Sequence, residues 1–361
     1  MNVHRFIALV DLDAFYASVE VLEDDNLRGK PLLIGGSPDK RGVVATASYE
    51  ARARGCKSAM PVSQALRLCP EAILITPRFS LYKKYSDRVM TILKTESEAF
   101  QQVSIDEAYI DLTSKGLTEE EAINFTHRLK ARIHVDIGLP CSVGMASNKI
   151  VAKVACEQAK PNGFKAVRVG QEATFLKDLD ISALPGIGPQ STKRLNSYGF
   201  YKIGDIARSK PEMIAQILGS TARSLYKNAM GEDDSIVSGI KHIKSISSER
   251  TFPTDITFKD GTPIFSVLSK LTSQVWDSSA KKKLNARTIS IKLRYSDFRT
   301  ITRSKTLGYA IPDKETVEII ASDLINQTLN QFDTLRLMGL TLSNFYTSSE
   351  PSQLPFKQLL D

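Results

Sequence analysis

Cysteine is scarce in this chain, with only four among 361 residues. The four thiols, at positions 56, 69, 141 and 156, form no Cys-x-x-Cys pair, so the sequence predicts reduced, buried cysteines rather than a zinc site or a disulfide framework.

Long apolar runs are also missing. No stretch approaches the ~18 residues of a membrane-spanning helix, and Phe6–Val10 is too short for a secretory signal. We therefore expect a cytoplasmic protein with no membrane partner.

The composition excludes disorder as the dominant state. Apolar residues make up 42% and charged residues 24% of the chain, which is the mixture of an ordinary globular protein. At about 150 residues per domain, the length predicts two to three domains.

Positive charge is concentrated in one segment. The net charge is +8 at pH 7, and residues 241–305 alone contain 14 lysines and arginines against 5 acidic residues. The rest of the chain is therefore close to neutral. A local basic excess is typical of a module that binds a polyanion, and a basic surface that only contacts solvent is the alternative.

Hydrophobic periodicity divides the chain into three parts. Strand and helix patterns alternate up to about residue 165, and an all-helical segment follows from Glu172 to Gly231. After the acidic cluster 232–234, the order is strand, helix, two strands, helix and strand, over residues 245–258, 263–279, 287–295, 300–307, 314–332 and 336–345. This order predicts a βαββαβ unit, a four-stranded sheet with two helices on one face.

Two acidic patterns carry the first sign of chemistry. Asp11 and Asp13 follow a buried apolar strand, where a carboxylate is costly unless it binds a cation or hydrogen-bond donors. They would share a strand face, although both could instead cap the next helix.

The second acidic pattern is Asp106-Glu107, between arms predicted at residues 103–105 and 108–112. A hairpin there would present both carboxylates at its tip, although an ordinary acidic turn is the alternative. Two acidic strand ends in one domain are what a two-metal site needs, because Mg²⁺ prefers carboxylate oxygens and a pair of ions can clamp a phosphoryl transfer.

Five motifs in order identify the chain as similar to the Y-family DNA polymerases, and most similar to their DinB or DNA polymerase IV branch. They are V-D-L-D-A-F-Y-A-S-V-E (10–20), A-T-A-S-Y-E-A-R (45–52), S-I-D-E-A-Y-I-D (104–111), A-K-P-N-G (159–163) and L-P-G-I-G-P (184–189). The resemblance extends to about residue 346.

The resemblance implies an α+β multidomain fold, arranged as a right-hand polymerase. Its domains would be a palm (1–10 and 78–167), small fingers (11–77), a helical thumb with a helix–hairpin–helix (168–232), a linker (233–243), a βαββαβ little finger (244–347) and a flexible tail (348–361).

The same resemblance assigns the catalytic and metal-binding residues. Asp11, Asp106 and Glu107 match the family's catalytic carboxylates, and the backbone carbonyl of Leu12 matches a further metal ligand, for two Mg²⁺ ions per active site. Asp13 is not a metal ligand in the family.

Nucleotide contacts are implied at five positions, namely Tyr16, Thr46, Tyr49, Arg52 and Lys160. Tyr16 matches the steric gate, an aromatic ring that leaves no room for a ribose 2′-hydroxyl. The other four match contacts to the triphosphate, although Tyr49 and Arg52, three residues apart, fit an ordinary surface pair when taken alone. The small residues Val43 and Ala45 match the roof over the nascent base pair.

Two regions are expected to bind DNA. Gly186 and Gly188 form a helix–hairpin–helix signature in which backbone N–H groups can hold a phosphate without reading sequence; a plain glycine-rich connection is the alternative. The little finger contains the basic excess, although Lys281-Lys282-Lys283 also fits an ordinary solvated helix end.

The tail contains a short match to a clamp-binding peptide. Gln353, Leu354 and Phe356 resemble the segment by which bacterial polymerases of this family dock on the sliding clamp, one residue shorter than its usual form. Gln353, Phe356, Leu359 and Leu360 also fit loosely the archaeal and eukaryotic clamp peptide. The partners implied are thus primer–template DNA, a deoxynucleoside triphosphate and a sliding clamp, for a monomeric enzyme.

The sequence therefore predicts a template-directed, low-fidelity DNA polymerase that performs translesion synthesis without proofreading. The alternative is a non-catalytic DNA-binding scaffold of the same fold. The complete set of Asp11, Asp106 and Glu107 favours the enzyme.

Overall fold

A computed structural model describes residues 4–239, 243–260 and 262–346. These residues form two compact units, one from residues 4–36 and 43–239, the other from residues 37–42 and 243 onward. Among the described residues, no helix has the length and apolarity needed to cross a membrane. All four cysteines are buried free thiols, as predicted.

The first unit contains eight strands and eleven α-helices among its described residues, besides short 3₁₀ turns. The strands are β1 (Ile7–Leu12), β2 (Leu32–Gly35), β3 (Val44–Ala47), β4 (Ile73–Ile75), β5 (Ala99–Gln102), β6 (Glu107–Asp111), β7 (Cys141–Ala146) and β8 (Phe164–Ala166). The helices are α1 (Phe15–Glu23), α2 (Tyr49–Ala53), α3 (Val62–Leu68), α4 (Phe79–Glu96), α5 (Glu119–Ile137), α6 (Lys149–Ala159), α7 (Glu172–Leu176), α8 (Pro189–Asn196), α9 (Ile203–Arg208), α10 (Pro211–Leu218) and α11 (Ala222–Ala229).

Strand β1 is the centre of a five-stranded sheet in the order β5-β6-β1-β7-β8. Its side chains alternate between two cores, because successive residues of a strand point to opposite faces. Ala8, Val10 and Leu12 pack with helices α1, α4 and α5, whereas Ile7 and Leu9 pack with α6 and the helices that follow. Both faces are covered, so the polar end of β1 is held in a fixed position.

A smaller sheet of order β3-β2-β4 packs against α2 and α3 around Leu33, Val44 and Val62. Strand β3 and helix α2 are consecutive, and Ser48 between them caps α2 by accepting the Ala51 N–H. This cap fixes where Tyr49 begins the helix.

Helix α6 is capped by Asn148, whose side chain accepts the Val151 N–H at 3.0 Å. The neighbouring Ser147 hydroxyl donates to the Glu172 carboxylate at 2.6 Å, which connects the start of α6 with α7.

The second unit confirms the predicted βαββαβ order. Its elements are β9 (Ser245–Thr257), α12 (Thr262–Lys281), β10 (Ala286–Tyr295), β11 (Thr300–Thr306), α13 (Lys314–Asn326) and β12 (Thr334–Phe345), with sheet order β11-β10-β12-β9. Helix α13 ends earlier than the predicted residue 332. The carbonyls of Gln331 and Asp333 accept the Lys259 and Phe258 N–H groups, so this backbone joins the end of β9 instead of continuing the helix.

Candidate active site

Three acidic residues meet at one end of the larger sheet. The antiparallel register of β1 and β6 places Asp11 directly opposite Glu107, and the Leu12 N–H donates to the Asp106 carbonyl at 3.0 Å. The predicted hairpin is present, but its first strand is β5, and residues 103–106 form the turn. Asp106 therefore lies in the turn and Glu107 begins the strand.

Each carboxylate has its own partner in this structure. Lys160 Nζ lies 2.8 Å from Asp11 Oδ2, Lys153 pairs with Glu107, and the Ser104 hydroxyl donates to Asp106. Across residues 4–239, 243–260 and 262–346, no three His, Cys, Asp or Glu side chains are grouped as they would be around a metal ion.

The electrostatics of the cluster favour a cation. Burial, together with the charges of Asp106 and Glu107, raises the pKa of Asp11 to about 6 against the opposing effect of Lys160. Carboxylate oxygens next to a backbone carbonyl are the donor set that Mg²⁺ prefers. The donor types at this end of the sheet therefore fit a magnesium site, although in this structure the three side chains are paired with Lys160, Lys153 and Ser104 and are not grouped around one point.

Asp13 lies just beyond β1, and its side chain does not cap α1, so that alternative was wrong. Strand β1 ends at Leu12, and the Asp13 side chain is only 2% exposed. Its carboxylate accepts from the Tyr49 hydroxyl at 3.0 Å, the Ser142 hydroxyl at 2.9 Å and the Asn162 N–H at 2.8 Å.

Asp13 is thus a buried hub that sequence reasoning missed. It connects Tyr49 at the start of α2 with Asn162, two residues after Lys160. Burial first, and the Asp13 charge second, raise the pKa of Tyr49. The only sequence signal for this role is a carboxylate just beyond a buried strand.

The other predicted nucleotide contacts lie close to this hub. The Arg52 guanidinium lies 4.8 Å from the centre of the Tyr49 ring, and its Nε donates to the Ala47 carbonyl at 3.0 Å. Lys160 acts on the pKa of Tyr49 and lowers it, as Arg52 does. Thr46 lies in β3 of the same small sheet, so the structure brings four predicted contacts into one region.

The predicted steric gate, Tyr16, belongs to α1 and is half-buried. Burial, and the nearby charge of Asp106, raise the pKa of its phenol. The ring therefore lies within electrostatic range of the carboxylate cluster.

Gly186 and Gly188 lie in the connection between the 3₁₀ turn Ile181–Ala183 and α8, where the helix–hairpin–helix signature predicts them. Gly186 has φ +96°, a conformation that favours glycine. Gly188 is the N-cap of α8, and Pro189 begins the helix. Leu184 and Ile187 are buried and anchor the connection.

The open face of the second unit's sheet is rich in hydroxyl groups. Helices α12 and α13 pack on the face of Ile289, Ile291 and Leu293, so alternation directs the intervening residues of β10 to the other face. Residues on the open face of the four strands include Thr288, Ser290, Lys292, Arg294, Thr300, Thr302, Ser304, Thr341, Ser343, Ser245, Ser247 and Glu249.

The basic excess of this unit is not concentrated on the open face. Lys292 Nζ lies 2.9 Å from both carboxylate oxygens of Glu249. Gly339 lies between them in the register, and a Cβ there would lie 2.7 Å from Glu249 Cγ. Arg303 and Lys305 share the strand face of Ile301, away from these hydroxyls.

Comparisons with known proteins agree across both units. Residues 10–157 match the impB/mucB/samB family, and residues 243–356 match the impB/mucB/samB family C-terminal domain. DNA polymerase IV of Dehalococcoides mccartyi strain CBDB1 is 38% identical over 96% of this chain and 88% of the relative. The chain belongs to the Y family of DNA polymerases.

Further relatives support the same Y-family assignment. DNA polymerase IV of Clostridium perfringens strain SM101 is 35% identical over 99% of both chains. Among solved structures, the Y-family DNA polymerase chimera Dbh-Dpo4(243-245)-Dbh has a TM-score of 0.87 at 30% identity, over 94% of this chain and 99% of the chimera. DinB from Sulfolobus solfataricus has a TM-score of 0.66 at 29% identity, over 94% and 99%. The predicted α+β polymerase fold and the translesion DNA polymerase activity are thereby confirmed.

The predicted clamp peptide lies outside the described residues. Gln353, Leu354 and Phe356 all fall within 347–361.

Proposed function

We propose that this Y-family polymerase joins a deoxynucleotide to a primer 3′ end by two-metal nucleotidyl transfer at Asp11, Asp106 and Glu107. The single observation that carries the proposal is the β1–β6 register, which places Asp11 opposite Glu107 and next to Asp106. Two divalent cations held there would stabilise the charge on the attacking and leaving oxygens.

The chain's own residues prepare this site. Asp11, Asp106, Glu107 and the Leu12 carbonyl would hold the cations. Lys160 favours the ionised form of Asp11 against the effect of burial, so the carboxylate is ready to bind a cation. Tyr49, Arg52, Thr46 and Lys160 would bind the triphosphate, where positive charge offsets the charge on the departing pyrophosphate.

The direct test is primer extension on a primed template with deoxynucleotides, in MgCl₂ and in EDTA. We expect the primer to be extended, one nucleotide at a time, in MgCl₂ and not in EDTA. DNA binding without extension under both conditions would instead support the non-catalytic scaffold. A mispaired primer terminus should not be trimmed back, because the proposed domains account for the described chain without an exonuclease.

The domain boundaries given above are part of this proposal: palm (1–10 and 78–167), fingers (11–77), thumb (168–232), linker (233–243) and little finger (244–347). The palm would carry Asp106, Glu107 and Lys160. The fingers would begin at Asp11 and would carry the other triphosphate contacts and the roof residues Val43 and Ala45. Primer–template DNA would contact Gly186 and Gly188 of the thumb and the open face of the little finger. A monomer acting on genomic DNA in the cytoplasm would suffice for this chemistry.

A chain ending after Gly239 should bind primer–template DNA more weakly and with a shallower salt dependence. The first unit has its own cores, so we expect it to fold. Without the second unit, binding would release fewer counterions from the DNA phosphates. Each lost phosphate contact reduces the magnitude of the slope of log K against log salt by about 0.9. Fluorescence anisotropy across a salt series measures this slope. An unchanged slope would show that the basic residues of the second unit face solvent.

Replacing Phe356 by alanine should remove stimulation by a loaded sliding clamp while leaving clamp-free synthesis intact. Binding energy at such anchors is concentrated in a few apolar side chains, and Phe356 is the largest in the tail. Primer extension with and without the clamp measures the effect. Phe332→Ala is the matched control, since Phe332 is 78% exposed and lies outside the tail. Clamp stimulation that survives Phe356→Ala would contradict the assignment.

A further inference from the structure

Four aromatic rings pack together around the predicted gate. The Tyr16 and Tyr82 rings are stacked, with centroids 4.2 Å apart and planes 12° from parallel. Phe79 contacts the edges of both rings, at 6.0 Å from Tyr16 and 6.2 Å from Tyr82, and Phe15 lies 6.4 Å from Tyr82. Tyr82 is fully buried, so it forms the fixed surface on which the half-buried Tyr16 ring lies.

A buried carboxylate anchors this fixed surface. Glu20 is 3% exposed and accepts the Tyr82 hydroxyl at 2.5 Å and the Arg78 Nε–H at 3.1 Å, with a second contact from the Arg78 guanidinium. A buried carboxylate is costly unless it is paired and hydrogen-bonded. Arg78 and Tyr82 together satisfy it, so the three side chains hold one another in place.

Helical spacing aligns the anchor with the gate. Tyr16 and Glu20 lie four residues apart in α1, and Arg78 and Tyr82 lie four residues apart at the start of α4, so each pair shares one helix face. The ring stack and the carboxylate therefore lie one turn apart between the same two helices. Burial and the hydrogen bond to Glu20 raise the pKa of Tyr82, which keeps its hydroxyl a donor.

We propose that Glu20, held by Arg78, is a positioning residue that fixes Tyr16 through Tyr82 and so contributes to the exclusion of ribonucleotides. The inference rests on the proposed role of Tyr16 as the steric gate. A ring that must reject a substrate for one extra hydroxyl has to be held closely. The hydrogen bond to Glu20 fixes the position of the hydroxyl end of the Tyr82 ring, and the stack transfers that placement to Tyr16.

The structure provides a matched control on the same helices. The Tyr85 hydroxyl donates to Glu23 at 2.7 Å, which repeats the Tyr–Glu contact between α4 and α1 three residues further along. This second contact is at the surface and does not involve the Tyr16–Tyr82 stack. Tyr85→Phe therefore removes a hydrogen bond between the two helices without disturbing the anchor.

The experiment measures single-nucleotide insertion by the full-length chain and compares kcat/KM for a deoxynucleotide with kcat/KM for the matching ribonucleotide. Tyr16→Ala should collapse the ratio. Glu20→Gln and Tyr82→Phe should each lower it about tenfold, the effect that loss of one hydrogen bond to a charged group supports. Tyr85→Phe should match the parent. In a Tyr16→Ala background, Glu20→Gln should change the ratio no further.

Each other result decides between the two proposals. If Tyr16→Ala collapses the ratio while Glu20→Gln and Tyr82→Phe keep the parental value, the positioning role is wrong and the gate stands. If Tyr16→Ala leaves the ratio unchanged, the gate assignment fails, and the inference fails with it. Should Glu20→Gln not fold, Tyr82→Phe decides alone, because it retains the ring and its packing.

Discussion

Asp106→Ala should lower the rate of primer extension by about a thousandfold or more while leaving primer–template affinity within a few fold. A carboxylate that holds a catalytic cation supports several kcal/mol of transition-state stabilisation, and each 1.36 kcal/mol is a factor of ten in rate. DNA affinity should persist, because the proposed thumb and little finger supply most phosphate contacts. Pre-steady-state extension and anisotropy measure the two quantities separately.

Asp136→Ala is the control for the change in charge. Asp136 is an exposed residue of α5 in the same unit, so its removal alters net charge equally without touching the cluster. Normal extension by Asp106→Ala would remove the two-metal assignment. An equal loss in Asp136→Ala would mean that net charge, rather than cation binding, explains the effect.

Local patterns in the sequence predicted the strands and helices that carry the site. Strand β1 begins with a continuous apolar run that leads into Asp11, and Asp106-Glu107 lies between two apolar segments, so both were recognisable from their neighbours alone. Their meeting is a consequence of antiparallel pairing, which brings Asp11 opposite Glu107 across almost one hundred residues of chain. The sequence predicted two strand ends that carry acidic residues, and the register of β1 and β6 shows that these ends lie side by side.

The expectations that failed depend on contacts between residues far apart in sequence. Asp13 was a candidate cap of α1, yet its carboxylate is satisfied by Ser142 and Asn162, which no pattern around Asp13 indicates. Glu20 likewise looks like an ordinary helix residue until Arg78 and Tyr82 are placed beside it. A buried carboxylate needs hydrogen-bond donors, and for Asp13 and Glu20 these donors come from residues that only the tertiary structure brings close.

The count of charged residues along the sequence also predicted only part of the result. It located the basic excess in the second unit, but not its distribution over the two faces of the sheet. The cross-strand pair of Lys292 and Glu249 neutralises one lysine of the open face, and hydroxyl groups surround it. We therefore expect small hydroxyl and backbone groups to contribute to phosphate contacts there, as they do in many protein–DNA interfaces.

Gly144→Ala should destabilise the first unit by at least about 3 kcal/mol, because overpacking against backbone cannot be relieved by side-chain rotation. A Cβ at Gly144 of β7 would lie 2.1 Å from the Ala152 carbonyl oxygen and 2.2 Å from the Cys156 nitrogen of α6. Strand β7 is paired on both sides, with β1 and β8, so α6, the helix of Lys153, would have to move.

Circular dichroism melting measures this effect, and for a unit of this size we expect the melting temperature to fall by about 6–12 °C. Gly188→Ala is the matched control: Gly188 has φ −85°, and a Cβ there would meet no atom within 4 Å, so its melting temperature should stay close to that of the parent. Any folded Gly144→Ala protein should also extend primers slowly, because displacement of α6 moves Lys153 and Lys160 away from Glu107 and Asp11. Parental melting and parental extension by Gly144→Ala would contradict the close approach of β7 and α6, and with it the fixed position of the two lysines.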